Sequence, residues 1–175
     1  MFYKKGLSSV VATVALILIT FAAVAIISSY VVPLVKNNLE KSSECLGLES
    51  YFNFEESFNY NCFSNGLYAI SVSAGTTNSE NLAGFKLAFL ESSGETISAS
   101  VIKNSPDFGF DEGKIRRFNG SLELDFPKNG EARTYLYNNS KSFESAEIYP
   151  VLKSDRICPK SDSIQIGGII CETNL

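Results

Sequence analysis

Lys4-Lys5-Gly6, followed by LSSVVATVALILITFAAVAIISSYVVPLV over residues 7–35, decides how this chain must be read. From Leu7 to Val35 there is no charged side chain. The polar ones are Ser8, Ser9, Thr13, Thr20, Ser28, Ser29 and Tyr30, and Pro33 is the single proline. As a helix the run rises about 44 Å at 1.5 Å per residue, and about 20 apolar residues already cross a bilayer. A secretory signal has an apolar core of only about 7–15 residues before its cleavage site. Ala22-Ala23-Val24-Ala25 offers small residues of that kind, but inside a run too long for a discarded signal. In lipid the backbone must satisfy its own hydrogen bonds, so the β-branched content does not prevent a helix.

Small residues recur four apart in the run: Ser8 with Ala12, Ser9 with Thr13, Ala25 with Ser29. Such pairs let helix backbones approach closely in an apolar medium. Pro33 removes one backbone donor and predicts a kink near Ser29. Lys36 to Lys41 continues as a polar stalk, with Val35 and Leu39 on one face. The helix is expected to end between Ser42 and Glu44.

Beyond Cys45 the pattern changes to period 2. Leu67 to Ala74, Phe85-Leu87-Phe89, Ile97-Ala99-Val101, Ala132 to Tyr137, Ser145 to Leu152 and Ser163 to Ile170 read as strands. The clearest alternation is Leu122, Leu124 and Phe126 against Glu123 and Asp125. Asn65-Gly66, Asn119-Gly120 and Asn129-Gly130 mark turns. Glu49 to Phe63 is rich in Phe, Tyr and Asn and reads as a loop or short strand. Seven or eight short strands predict an antiparallel β-sandwich. The expected fold class is therefore α+β: residues 1–6 as a leader, 7–44 as apolar helix and stalk, and 45–175 as one β-rich domain.

Composition narrows the function. The chain of 175 residues carries a net charge of −4, and without Lys4 and Lys5 the remainder holds 13 basic against 19 acidic residues, a net −6. That disfavours nucleic acid, whose binding needs a basic patch, and Arg116-Arg117 reads as solvated surface. The absence of histidine removes the commonest general base and most zinc sites. No GxGxxG, P-loop or GxSxG motif occurs, so no catalytic residue, metal or cofactor is expected. Asp107, Asp111 and Glu112 lack the alternating spacing of a calcium loop and read as an acidic turn.

The four cysteines, Cys45, Cys62, Cys158 and Cys171, contain no CxxC. They fit an exported domain with two disulfides better than buried thiols in a reducing compartment. Of the three pairings, Cys45–Cys62 and Cys158–Cys171 are expected, because both close short local loops. Asn119-Gly120-Ser121 and Asn138-Asn139-Ser140 are glycosylation sequons and agree with export.

The basic leader ending in Lys-Lys-Gly, then Leu-Ser-Ser and an unbroken apolar helix, resembles the type III signal peptide of type IV pilins. It is most similar to archaeal pilins and archaellins. The resemblance covers residues 3–35, about a fifth of the chain. It implies cleavage between Gly6 and Leu7 by a membrane prepilin peptidase that reads Lys5 and Gly6. The apolar helix is then retained and assembles with its copies into a helical surface filament for adhesion or motility. Bacterial pilins usually carry a glutamate at the fifth mature position, and here that position is Val11, a departure that points towards the archaeal members. The competing expectation is a single-pass anchored module whose Tyr51, Phe52, Phe58 and Tyr60 hold an extracellular ligand.

Overall fold

Alternating side chains tell two sheets which faces to press together, and the chain follows that instruction. The computed structural model describes residues 9–76, 80–121 and 123–172. It divides into two compact units, Met1–Glu44 and Cys45–Leu175. The first holds one helix, α1 (Ser9–Ser43), which runs through Pro33 and ends inside the expected window. Gly47, at φ 83°, lies in the turn that opens the second unit.

The second unit is a sandwich of two antiparallel sheets. One sheet contains β1 (Phe52–Phe54), β2 (Cys62–Ser64), β3 (Leu67–Ala74), β6 (Ile115–Arg117) and β7 (Ala132–Asn138). Its order is β1-β3-β7-β6, with β2 also on β3. The other contains β4 (Leu82–Leu90), β5 (Thr96–Ile102), β8 (Ser145–Leu152) and β9 (Asp162–Gln165), in the order β5-β4-β8-β9. The α+β class and the sandwich are as the period-2 pattern predicts. The stretch from Glu49 to Phe63 supplies β1 and opens β2.

Aromatic residues join the two sheets. Phe89 of β4 stacks on Tyr137 of β7 with ring centroids 4.4 Å apart, and Phe85 of β4 meets Tyr135 of β7 edge-on at 5.5 Å. Phe52 of β1 leans on Phe85 at 4.9 Å. Aromatic pairs at these separations add about 0.5–1.5 kcal/mol each beyond the area they bury. Buried hydroxyls have partners. Tyr135 donates to the Asp125 carbonyl at 2.7 Å, and Tyr68 donates to the Lys141 carbonyl while accepting the Phe143 N–H. Burial raises the phenol pKa of Tyr135 far above its ordinary range.

The outer edge of β1 is closed by side chains preceding and opening β9. Ser161 Oγ accepts the Phe52 N–H and donates to the Phe52 carbonyl, and Asp162 Oδ2 accepts the Phe54 N–H at 2.8 Å. An open strand edge invites pairing with another chain, and here two polar side chains occupy it. Nothing in the sequence pattern announced that role.

Two strand expectations are corrected. Leu122-Leu124-Phe126 forms no strand among its described residues, and 124–128 has no regular structure. The edge of β7 is taken by β6, which pairs Ile115 with Tyr137, Arg116 with Leu136 and Arg117 with Tyr135. The segment instead buries Leu124 and lends Asp125 as a hub for Arg117 and Arg133. Its alternation recorded burial on one side without ladder pairing. The expected strand Ser163 to Ile170 is also shorter: β9 stops at Gln165, Ile166 enters the core, and Gly168 turns the chain at φ 77°.

On the outer face of the β4-containing sheet, Glu147 Oε1 accepts Lys160 Nζ at 2.8 Å and Oε2 accepts the Tyr149 hydroxyl at 2.5 Å. Those bonds, the Lys160 one first, hold the Glu147 carboxyl below its ordinary pKa. A depressed carboxylate contributes stability that is present above its unfolded pKa of about 4.3 and lost as pH falls through the folded value. Glu147→Gln is therefore expected to lower Tm at pH 7, with the gap to the parent closing below about pH 4. Melting curves across that range check it, and a gap independent of pH contradicts it.

Candidate functional site

The apolar helix is the first candidate. Val10–Lys36 is long and apolar enough to cross a membrane, and none of its most apolar window is buried within the chain. Its large side chains are exposed on every face, from Val31 at 47% to Tyr30 at 75%. A helix apolar all round must be covered by lipid or by other helices. Three of its hydroxyls are turned inward on its own backbone. Thr13 donates to the Val10 carbonyl at 2.9 Å, Thr20 to Ile17 at 2.7 Å and Ser29 to Ala25 at 2.8 Å. These bonds let the polar residues sit in hydrocarbon at little desolvation cost. Of the small-residue pairs, Ala25 and Ser29 are thus bonded to each other through backbone and side chain, and Ala12 and Thr13 are exposed. Lys5, Gly6, Leu7 and Ser8 lie outside the described residues, and Ser9 opens α1.

The disulfides are the second feature, and their pairing corrects the expected one. Cys45 bonds Cys158 and Cys62 bonds Cys171. The reason is strand parity. Cys45 and Cys158 belong to the main core. Cys62 lies opposite Ala69, which lies opposite Leu136. This row faces away from the core and, with Cys171, builds a smaller outer cluster. The sheet therefore separates Cys45 from Cys62. Beyond β9 the chain crosses to this outer side, where Phe63 donates to the Ile169 carbonyl at 2.8 Å and accepts from Cys171 at 3.1 Å. A helix fit for membrane anchoring and two disulfides together suit a location at the membrane and outside the cytosol.

Of the aromatics proposed as a binding surface, Tyr51 and Phe52 are buried core. Phe58 is exposed, and Tyr60 packs on Phe118 with centroids 5.3 Å apart. Arg116 and Arg117, expected as solvated surface, are half-buried and engaged. Being consecutive in a strand they point oppositely: Arg116 lies 5.0 Å over the Phe110 ring, and Arg117 pairs with Asp125 at 3.0 Å. Asp107 accepts the Ser100 N–H at 2.7 Å, and Glu112 accepts the Ser140 hydroxyl at 2.5 Å, which holds the Glu112 carboxyl below its ordinary pKa.

A groove of about 630 Å³ lies beside the Cys62–Cys171 bridge, lined by Glu56, Asn59, Asn61, Ile164, Ile169 and Ile170 among others. Asn61 is buried and structural: it donates to the Glu55 carbonyl and accepts the Ser71 N–H. The sequence reading missed this groove. Its one local signal is Ile169-Ile170, an apolar pair after Gly167-Gly168 that stays exposed, Ile170 at 76%. No family model, curated protein or solved structure matches this chain.

Proposed function

We propose that the chain is the subunit of a type IV pilus-like surface filament of the archaeal kind, built from its N-terminal helix after the leader is removed. The observation that carries this reading is the exposed, all-round apolar helix behind a Lys-Lys-Gly border. Before assembly, lipid covers the helix. Entry into a filament core exchanges lipid for identical helices, so close packing must drive the step. The inward-turned hydroxyls of Thr13, Thr20 and Ser29 favour that exchange, because they ask nothing of a neighbour. Lys4 and Lys5 hold the uncut chain at the cytoplasmic face by the positive-inside bias, and cleavage between Gly6 and Leu7 frees it. Copies joined by one repeated head-to-tail contact form an open helical polymer when the rotation does not close.

The chain recovered from sheared surface filaments is expected to begin at Leu7, and cells lacking it are expected to lose those filaments. An intact Met1, a start near Ile26, or filaments unaffected by deletion would sink the proposal. The groove beside Ile169 and Ile170 favours a second reading, an anchored extracellular binding module. Gel filtration in detergent separates the two: a stable monomer from cells without filaments supports the module.

A further inference from the structure

We propose that Asn119 carries an N-linked glycan, seated on the Tyr60–Phe118 aromatic pair, and that the second sequon, at Asn138, stays unmodified. Both sequences satisfy the Asn-x-Ser rule, so only their surroundings separate them.

Asn119 sits in the turn that follows β6, where Gly120 donates to the Arg117 carbonyl at 3.2 Å and Gly120 adopts φ 74°. It is exposed. Its carboxamide is held through oxygen, which accepts the Ser121 N–H at 3.1 Å. That bond does not spend the nitrogen, which is the atom that must react. The preceding residue, Phe118, is fixed by its N–H to the Thr134 carbonyl at 3.0 Å, yet the residue remains 42% exposed. Tyr60 supports that ring from the neighbouring loop. The C–H face of a pyranose is apolar, and laying it on an exposed aromatic ring removes apolar area of both from water.

Asn138 is the opposite case. It is the last residue of β7, opposite Leu67, between buried Tyr137 and Asn139. Its Nδ2 donates to the Phe110 carbonyl at 2.8 Å. Its backbone N–H donates to the Lys114 carbonyl, and its carbonyl accepts the Gly113 N–H at 2.6 Å. The hydroxyl of its Ser140 is given to Glu112. Carboxamide, backbone and Ser140 hydroxyl are held together at the end of β7, so presenting this sequon to an enzyme means lifting the segment from its neighbours and breaking several bonds at once.

The transfer balances simply. The donor is an oligosaccharide linked through phosphate to a membrane lipid, presented by a transferase outside the cytosol. Asn119 Nδ2 forms a bond to the anomeric carbon, and the bond from that carbon to phosphate oxygen breaks. Its electron pair leaves with the lipid phosphate. One Nδ2 proton passes to a base, and nothing is oxidised or reduced.

The test is glycopeptide mapping of the full chain purified from its own cells, with fragmentation that keeps the sugar attached. The expected result is an added mass on the Asn119 peptide and none on the Asn138 peptide. Asn119→Gln and Ser121→Ala are each expected to remove it, while Asn138→Gln retains it. Two variants are used because Asn119 and Ser121 both belong to the bonded turn, and loss of sugar in both separates the sequon from the turn. An unmodified Asn119 or a modified Asn138 overturns the assignment. For the aromatic seat, a cycle of Phe118→Ala with Asn119→Gln is read by Tm. Glycan loss is expected to lower Tm by a few degrees with Phe118 present and by nothing measurable without it. Equal shifts in both backgrounds overturn the seat.

Discussion

Removing one disulfide is expected to lower the stability of this chain by about 4 kcal/mol, and removing both by about 8 kcal/mol, in the chain-entropy account of cross-links. The bridges join Cys45 to Cys158 and Cys62 to Cys171, at sequence separations of 113 and 109. Alone, a loop of that length restricts the unfolded chain by about 5 kcal/mol. The two loops interleave, so neither acts alone. With Cys45–Cys158 intact, Cys62 reaches Cys171 by going back to Cys45, across the bridge to Cys158 and onward, a path of about 30 residues. Closing that shorter loop is worth about 3.6 kcal/mol. The same detour serves the other bridge, so Cys45→Ser/Cys158→Ser and Cys62→Ser/Cys171→Ser are expected to cost nearly equal amounts. The second loss then removes the full long-loop term. Against a typical total of about 5–15 kcal/mol, the doubly reduced chain is marginal or unfolded. Urea unfolding in detergent of the parent, the two double-serine variants and the reduced parent measures all three steps. A local pairing of Cys45 with Cys62 predicts two independent small loops of about 3 kcal/mol each. Peptide mapping without reductant distinguishes them at once, because only the interleaved pairing links a Cys45 peptide to a Cys158 peptide.

The cysteines also mark where sequence reading stops. Their number, spacing and the absence of histidine pointed to disulfides. The partners depended on which face of a sheet each thiol occupies, and that is fixed by registers such as Cys62 with Ala69. Short loop length was a poor substitute for parity. The apolar helix was legible almost to the residue, because an uncharged run admits few alternatives in lipid or water. Strands β3, β4, β5, β7 and β8 were legible because apolar, β-branched and aromatic residues recur over seven to nine residues between turn signals. Alternation at Leu122-Leu124-Phe126 misled because one-sided burial needs no ladder. The closing of β1 by Ser161 and Asp162 and the groove at Ile170 were invisible, since each joins residues distant in sequence.

Gly84→Ala is the single substitution expected to do most damage, about 3–5 kcal/mol. Gly84 lies in β4, between β5 and β8, paired with Ile102 on one side and Val151 on the other. The register shifts between Leu82 and Gly84, the mark of a bulge, and Gly84 adopts φ 153° there. A Cβ at this position would stand 2.0 Å from the Val101 carbonyl oxygen and 3.0 Å from the carbon behind it. Both are backbone atoms of β5, so no rotamer change relieves the clash. The ladder to β5 must open, or β4 must move with Phe85, Leu87 and Phe89, which are fully buried between the sheets. Gly66→Ala supplies the control. Gly66 also has positive φ, at 83°, but a Cβ there meets nothing within 4 Å. Its expected cost is the conformational term alone, roughly 1–2 kcal/mol. The difference between the two variants in urea midpoint therefore isolates the close approach of β4 to β5. If both variants lose the same stability, the bulge tolerates a side chain, and the contact with Val101 is not what requires glycine at position 84.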